Sequence, residues 1–300
     1  MRSFRFFQTS VFTDERFLFS GNQLATFWDL SENDLSTEEM QGITREMNFS
    51  ETTFVLPSKL DNCIRKVRIF TPGREIPFAG HPTLGTAFVI KKQGIISATD
   101  TKMYLELGIG PIAVEFRNNL IEMHQAQPKF LDEFQDKAVI AKILGISSDF
   151  ISQRAPIQFV STGFPFLIVP ITSLEAIRAI NLDTNLLFKT LKDFPSNELL
   201  VFTTKTVHAD SHVHVRMFAP FAGVAEDPAT GSAAGPLGGY LEVHQILLDH
   251  DRGTSIVLEQ GYVIHRPSRL IVQCHYEKDE ISEVIVGGEV KLTAKGEFFL

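Results

Sequence analysis

Two short phrases bring together residue types suited to holding an anion. One is Asp227-Pro228-Ala229-Thr230-Gly231-Ser232-Ala233, and the other is His81-Pro82-Thr83-Leu84-Gly85-Thr86-Ala87. Each opens on a polar side chain in the place of a helix N-cap, where Asp227 is a better cap than His81. Proline follows, at home in a first helical position where its missing N–H costs nothing. Small residues come next. A helix N-terminus carries unpaired N–H groups and a partial positive charge, so it suits a carboxylate. Gly80, Gly231 and Ser232 would let such a group approach the backbone closely. The plainer reading is two well-capped helices. One phrase alone leaves the two readings level; the paired occurrence favours a site that grips one small acid.

The pairing extends upstream. Val67-Arg68-Ile69-Phe70-Thr71-Pro72 precedes the first phrase, and Val215-Arg216-Met217-Phe218-Ala219-Pro220 precedes the second. The same features in the same order, half a chain apart, mark an internal duplication. It implies two similar halves rather than a solenoid of many units.

Further phrases carry a resemblance. They are Gly21-Asn22 after Phe19, Met40-Gln41, Asn48-Phe49-Ser50-Glu51-Thr52, Ala79-Gly80, Ser161-Thr162-Gly163-Phe164-Pro165, Gln260-Gly261, Arg266-Pro267 and Gly287-Gly288. With the two repeated phrases, they make the chain resemble the PhzF-like family of phenazine-biosynthesis proteins, within the diaminopimelate epimerase superfold. Gln23 stands where that family usually has proline. The resemblance implies an α+β fold of two pseudo-symmetric domains, each an antiparallel sheet or barrel wrapped round a central helix. We place the halves at residues 1–122 and 123–288, with a C-terminal strand over 289–300 returning to the first.

What the resemblance implies about chemistry is an isomerase that moves a proton on a small cyclic or amino-acid-like carboxylate without a cofactor. Relatives of this type act on trans-2,3-dihydro-3-hydroxyanthranilate. Glu51 becomes the general acid/base, with His81 and Asp227 as its orienting and proton-handling partners. The substrate is expected in a cleft between the halves, bound by Asn22, Ser50, Gly80, Gly231 and Ser232. Without the resemblance, Glu51 reads as a solvated charge at a strand start, His81 as a packed or capping histidine, and Asp227 as a helix cap. A carboxyl set against a phenylalanine-rich wall has its ionised form disfavoured, which suits a group that takes and returns one proton. The alternative function is a small-acid binding or interaction protein on the same scaffold. Such a protein would keep the helix starts but tolerate loss of the glutamate.

Other chemistries are less well supplied. The two-thiol racemases of the superfold need a cysteine at each helix start, and here Ala79 and Pro228 stand there instead. No P-loop is present, and no Gly-x-Gly-x-x-Gly opens a helix. His208, His212 and His214 cluster, but no Cys or carboxylate completes a metal set, so a solvated edge strand is the better reading. Metal ligands are therefore expected to be none.

Composition sets the outer bounds. Three hundred residues suit two domains of ordinary size. A net charge of −8 argues against nucleic acid and anionic membrane as partners. Phenylalanine is heavily used, 26 times against a single tryptophan. Cys63 and Cys274 make no Cys-x-x-Cys pair, which fits buried thiols in a reducing cytosol. The N-terminus alternates like a strand and lacks a signal peptide's apolar core. No apolar run approaches the roughly 20 residues of a membrane span. A homodimer is expected from family resemblance alone.

The elements that must position these residues follow in order. Residues 3–9 alternate as a strand. Ser36-Thr37-Glu38-Glu39 is a capping box opening a helix with Met40, Ile43 and Met47 on its apolar face and an end near Asn48. Strands are expected over 53–56, 64–70, 103–107, 111–116 and 120–125, with a helix from Pro82 to about Lys92 closed by Gly94. Helices follow over 131–144 and 173–193, the latter as one or two with Ser173 and Asp183 as caps, with two short strands between Ile157 and Val169. The second half reads as strands 198–204 and 211–218, a helix from Pro228 to about Val243, then strands 255–258, 262–266, 269–274, 282–286 and 289–298. Gly287-Gly288 allows a bulge or bend. The helix from Pro228 is almost free of charge on every side, which marks it, like its counterpart, as a buried central helix.

Overall fold

The structure is a computed structural model that describes residues 1–300. It divides into two compact units, Met1–His124 with Gly287–Leu300, and Gln125–Val286.

In the first unit, β1 (Ser3–Thr13), β2 (Asn22–Phe27), β3 (Glu51–Leu56), β4 (Arg65–Phe70), β5 (Glu75–Ile76), β6 (Lys102–Leu107), β7 (Gly110–Arg117) and β8 (Leu120–Gln125) follow in chain order. β1/β2, β3/β4 and β6/β7 pair antiparallel, while β2/β3 and β4/β6 pair parallel. The C-terminal strand β17 (Glu280–Phe299) runs antiparallel to β1 from Ser3↔Phe299 to Thr13↔Glu289, and it also pairs with β8, which closes the ring. The β1/β17 ladder is irregular at two places, across Thr293 on β17 and across Phe12 on β1. Phe12 sits at φ 62°. Gly287 serves close approach, since a Cβ would lie 2.6 Å from Glu122 Cγ.

The second unit repeats this pattern. β9 (Lys129–Glu133) leads into β10 (Gln158–Ser161), β11 (Pro165–Pro170), β12 (Leu199–Thr203), β13 (Val213–Ala219), β14 (Val224–Asp227), β15 (Ile256–Gln260) and β16 (Ser268–Glu277). Again the first, third and fifth pairings are antiparallel (β10/β11, β12/β13, β15/β16) and the intervening two parallel (β11/β12, β13/β15). The duplicated phrases are thus a duplicated topology.

One helix occupies the interior of each unit. α2 (Gly80–Lys92) packs on β1, β2, β3, β6 and β7, and α6 (Gly231–Val243) packs on β10, β11 and β16. Both are buried along nearly their whole length, and their only charges, Lys91 and Lys92 in α2 and Glu242 in α6, fall in the last turn. Small residues bring the strands close. A Cβ on Gly85 would meet Leu24 Cδ2 at 2.6 Å, and one on Gly238 would meet Val272 Cγ1 at 2.4 Å. Amphipathic helices cover the outer faces. α1 (Thr37–Met47) has the full capping box and ends at Asn48 in the left-handed region. Its Met40 and Ile43 join Phe27, Phe54 and Phe70 in one core cluster, where Phe27 and Phe54 stack at 5.1 Å. In the second unit α3 (Lys137–Leu144), α4 (Leu174–Ala179) and α5 (Thr184–Leu191) do the same, capped by Asp136, Ser173 and Asp183.

Several expectations need correction. Residues 129–133 form a strand, β9, so α3 is shorter than the expected helix over 131–144. Residues 262–266 are a turn, not a strand. The histidine-bearing segment is not a solvated edge: β13 pairs with β12, β14 and β15 and is buried along its length. No helix is long and apolar enough to cross a membrane.

Candidate functional site

Glu51 is the first residue of β3, so its side chain takes the same face as Thr53, two residues on. The Thr53 hydroxyl lies 2.9 Å from the Thr86 hydroxyl of α2, which turns that face toward the central helix. The phenylalanine cluster around Phe54 is on the opposite face of β3. The aromatic wall expected beside Glu51 is therefore one residue out of phase, and its place is taken by the start of α2.

That helix starts earlier than its proline suggests. Its N-cap is Ala79, extended at φ −152°, so Gly80 and His81 are the first two helical residues and Pro82 the third. His81 is a first-turn residue, not a cap. Its ring is buried at 3% exposure, with Nε2 3.4 Å from Glu51 Oε2. On the other side Asn22 Nδ2 lies 3.1 Å from Nδ1. Burial drives the imidazole down from its ordinary value to about 3, against a smaller opposing pull from a backbone hydrogen bond at Gln23. The helix N-terminus acts in the same direction as burial. His81 is thus neutral at any ordinary pH. Asn22 opens β2 directly after Gly21, whose φ of 78° and close approach to the Val11 carbonyl (2.6 Å for an added Cβ) exclude other residues. Ser50, half-buried, immediately precedes β3.

In the second unit the repeated phrase folds differently. Asp227 ends β14, and α6 begins only at Gly231, with Thr230 as N-cap. The expected start at Pro228, with Asp227 as cap, is displaced by three residues. The carboxylate instead accepts a 2.5 Å hydrogen bond from the Thr230 hydroxyl at Oδ2. The first helical N–H groups belong to Gly231 and Ser232, and helix geometry leaves these without intrahelical partners. The turn is held by two glutamines. Gln125 Nε2 donates to the Gly231 carbonyl at 2.9 Å, while its Oε1 accepts from Thr162 at 2.5 Å. Gln260 holds Asp227 and Thr230. Residue-type reasoning passed over Gln125, Thr162, Thr230 and Gln260 as agents, although Thr162 and Gln260 lie inside phrases that carried the resemblance. A neutral amide or hydroxyl shows its role only when its partners are in place.

The two repeat arginines are also settled. Arg68 donates through Nε and Nη2 to Glu75 at 2.7 and 2.6 Å, and Arg216 in the same way to Glu226 at 3.0 and 2.7 Å. Each guanidinium also lies over a phenylalanine of its own strand, Phe70 and Phe218. Elsewhere, His214 Nδ1 is 2.7 Å from Glu259, and His212 Nδ1 accepts from the Val257 N–H, so these rings are committed to protein partners. Cys63 and Cys274 are buried free thiols, and burial pushes Cys274 up to about 12.

Two closed or repeated strand units, each around a buried helix with its N-terminus dressed in small residues, define the class. A hydroxyproline epimerase from Agrobacterium vitis shares this fold at a TM-score of 0.62 and 9% identity, covering 99% of this chain and 92% of that one. The family is narrower: the model described as "Phenazine biosynthesis-like protein" matches residues 9–296, and the chain belongs to that family. A phenazine biosynthesis protein of the PhzF family from Bacillus anthracis superposes at a TM-score of 0.89, with 27% identity and full coverage of both chains. The trans-2,3-dihydro-3-hydroxyanthranilate isomerase of Pseudomonas aeruginosa is 36% identical over 286 residues, spanning 93% of this chain and 94% of that one.

Proposed function

We propose that this protein is a cofactor-independent isomerase that moves a proton within a small cyclic or amino-acid-like carboxylate similar to trans-2,3-dihydro-3-hydroxyanthranilate, with Glu51 as general acid/base. The observation that carries the reading is the approach of Glu51 to a buried, neutral His81, 3.4 Å between Oε2 and Nε2. A neutral imidazole beside a carboxylate lacks the full charge of an ion-pair partner, so the carboxylate stays able to take up a proton. One carboxyl that removes a proton can return it to a neighbouring carbon on the same face, which needs no second base. Asp227 and the uncommitted N–H groups of Gly231 and Ser232 suit the orientation of an acid and amine on the substrate. The family name of the relative from Pseudomonas aeruginosa supports the reaction class. A two-thiol mechanism finds no support, since Ala79 and Pro228 stand at the thiol positions and both cysteines are buried elsewhere.

The test is proton exchange followed by NMR in D2O, with dihydro-hydroxyanthranilate leading a panel of small cyclic and amino-acid-like carboxylates. Deuterium uptake or isomerised product in wild type that disappears in Glu51→Gln is the expected result. Exchange that survives in Glu51→Gln would reassign the base. Binding without exchange in either protein would favour a small-acid binding protein.

A further inference from the structure

The Gln260-Gly261 phrase presses directly on Asp227. Gln260 ends β15 and is 2% exposed. Its Nε2 donates to the Asp227 carbonyl at 2.8 Å and to the Thr230 hydroxyl at 3.1 Å, and its Oε1 accepts from the Thr230 N–H at 3.2 Å. The amide fits only this way round. Turned over, its oxygen would face the Asp227 carbonyl and its NH2 would face the Thr230 N–H, exchanging bonds for repulsions. Gly261 secures the contact: at φ 79°, a Cβ there would lie 2.2 Å from the Arg266 carbonyl and 2.6 Å from that of Pro228.

The direction of the amide fixes the direction of the next bond. A hydroxyl has one proton to give. Thr230 Oγ1 already accepts from Gln260, and the acceptor within its reach is Asp227 Oδ2, at 2.5 Å. The chain of donation therefore runs from Gln260 through Thr230 to the carboxylate. A donated hydrogen bond favours the ionised carboxylate over the acid. Two further charged groups lie nearby. Glu226, next in the strand, is turned onto Arg216, and Arg266 lies in the turn after Gly261 with its guanidinium lowered by burial.

We propose that Gln260 is a positioning residue that acts through Thr230 to hold Asp227 as an ionised hydrogen-bond acceptor, so that Asp227 orients the substrate's donor groups and does not serve as the proton donor. The role in catalysis rests on the function proposed above; the polarity of the network does not.

The experiment is a carbon-detected NMR titration of the Asp227 carboxyl in the full chain, with the resonance assigned by its loss in Asp227→Asn. Thr230→Val, Thr230→Ser and Gln260→Met are compared with wild type. A hydrogen bond to a charged group corresponds to about one pH unit, so the midpoint rises by about that much in Thr230→Val, rises by less in Gln260→Met, and stays at the wild-type value in Thr230→Ser. Should Thr230→Val fail to fold, Thr230→Ser and Gln260→Met still decide. A common midpoint for wild type, Thr230→Val and Gln260→Met overturns the proposal, as does a Thr230→Ser protein that titrates like the valine variant. Absence of proton exchange in wild type with intact titration differences would instead count against the isomerase reading alone.

Discussion

Arg68 and Arg216 occupy the same place in the two units, and each lays its guanidinium on a glutamate of the next strand, Glu75 and Glu226. Their surroundings differ. The first pair is 21% and 40% exposed, whereas the second is 6% and 9% exposed. Arg216 also donates to the Ile177 and Ile180 carbonyls at the end of α4. Removing one partner of a buried pair strands the other charge and costs roughly 3 kcal/mol or more. An exposed pair contributes under about 1 kcal/mol. Glu226→Ala should therefore lower the urea midpoint far more than Glu75→Ala. Equal losses would show that burial does not separate the two copies.

Loss of Glu51 tests the centre of the site. Glu51→Gln keeps shape and removes the titrating group. A positioned acid/base contributes on the order of 10²- to 10⁴-fold, so exchange should fall by that range while circular dichroism and thermal midpoint stay near wild type. A fall of less than about tenfold would be too small for a general acid/base and would move that role to another group.

His81 gives the fold a definite acid lability. Its value is near 6.5 unfolded and about 3 folded. Above 6.5 both states are neutral and nothing is lost. As pH falls through this window, the unfolded chain binds a proton that the native ring refuses, so stability drops with pH down to about 3. At pH 4.5 the loss from this group is about 2 to 3 kcal/mol. Unfolding in urea at pH 7 and pH 4.5 should show wild type losing that much more than His81→Asn. Parallel losses in the two proteins would mean that the native ring takes up its proton as readily as the unfolded one.

Much of this fold was legible because its signals are local. The capping box at Ser36 and Glu39, the Asn48 stop and the almost charge-free Gly231–Val243 helix each declare themselves within a few residues. The duplicated topology was legible from its repeated phrases. What escaped depends on partners distant in sequence. Asp227 reads as an N-cap because it precedes proline, but pairing with β13 keeps it in β14, and Gln260, 33 residues on, holds the turn that delays the helix to Gly231. The face of Glu51 was misjudged for a different reason. The phenylalanines near it in sequence alternate to the other side of the strand, as a period of two demands. The histidine cluster looked exposed because polar residues usually are, yet Glu259 on the neighbouring strand satisfies His214 inside the sheet.

Glycine substitutions separate space from backbone freedom. Gly42, within α1, has nothing within 4 Å of an added Cβ. Gly42→Ala there should stabilise by up to about 1 kcal/mol, because alanine loses less entropy in a helix. Gly235, within α6, is the opposite case. Its Cβ would lie 2.0 Å from Gln125 Oε1. That amide cannot simply swing aside, since it accepts from Thr162 and donates to the Gly231 carbonyl. Gly235→Ala must either shift the helix or break the bonds that Gln125 makes to Gly231 and Thr162. Overpacking of this kind costs about 1 to 3 kcal/mol, and broken bonds to buried groups add to it. The same change should weaken binding of small carboxylates by loosening Gly231 and Ser232, whereas Gly42→Ala should not. Calorimetric titration with dihydro-hydroxyanthranilate, beside thermal unfolding of both variants, reads the two effects separately. Unchanged affinity in a destabilised Gly235→Ala would show that Gln125 supports the fold without shaping a binding turn at the start of α6.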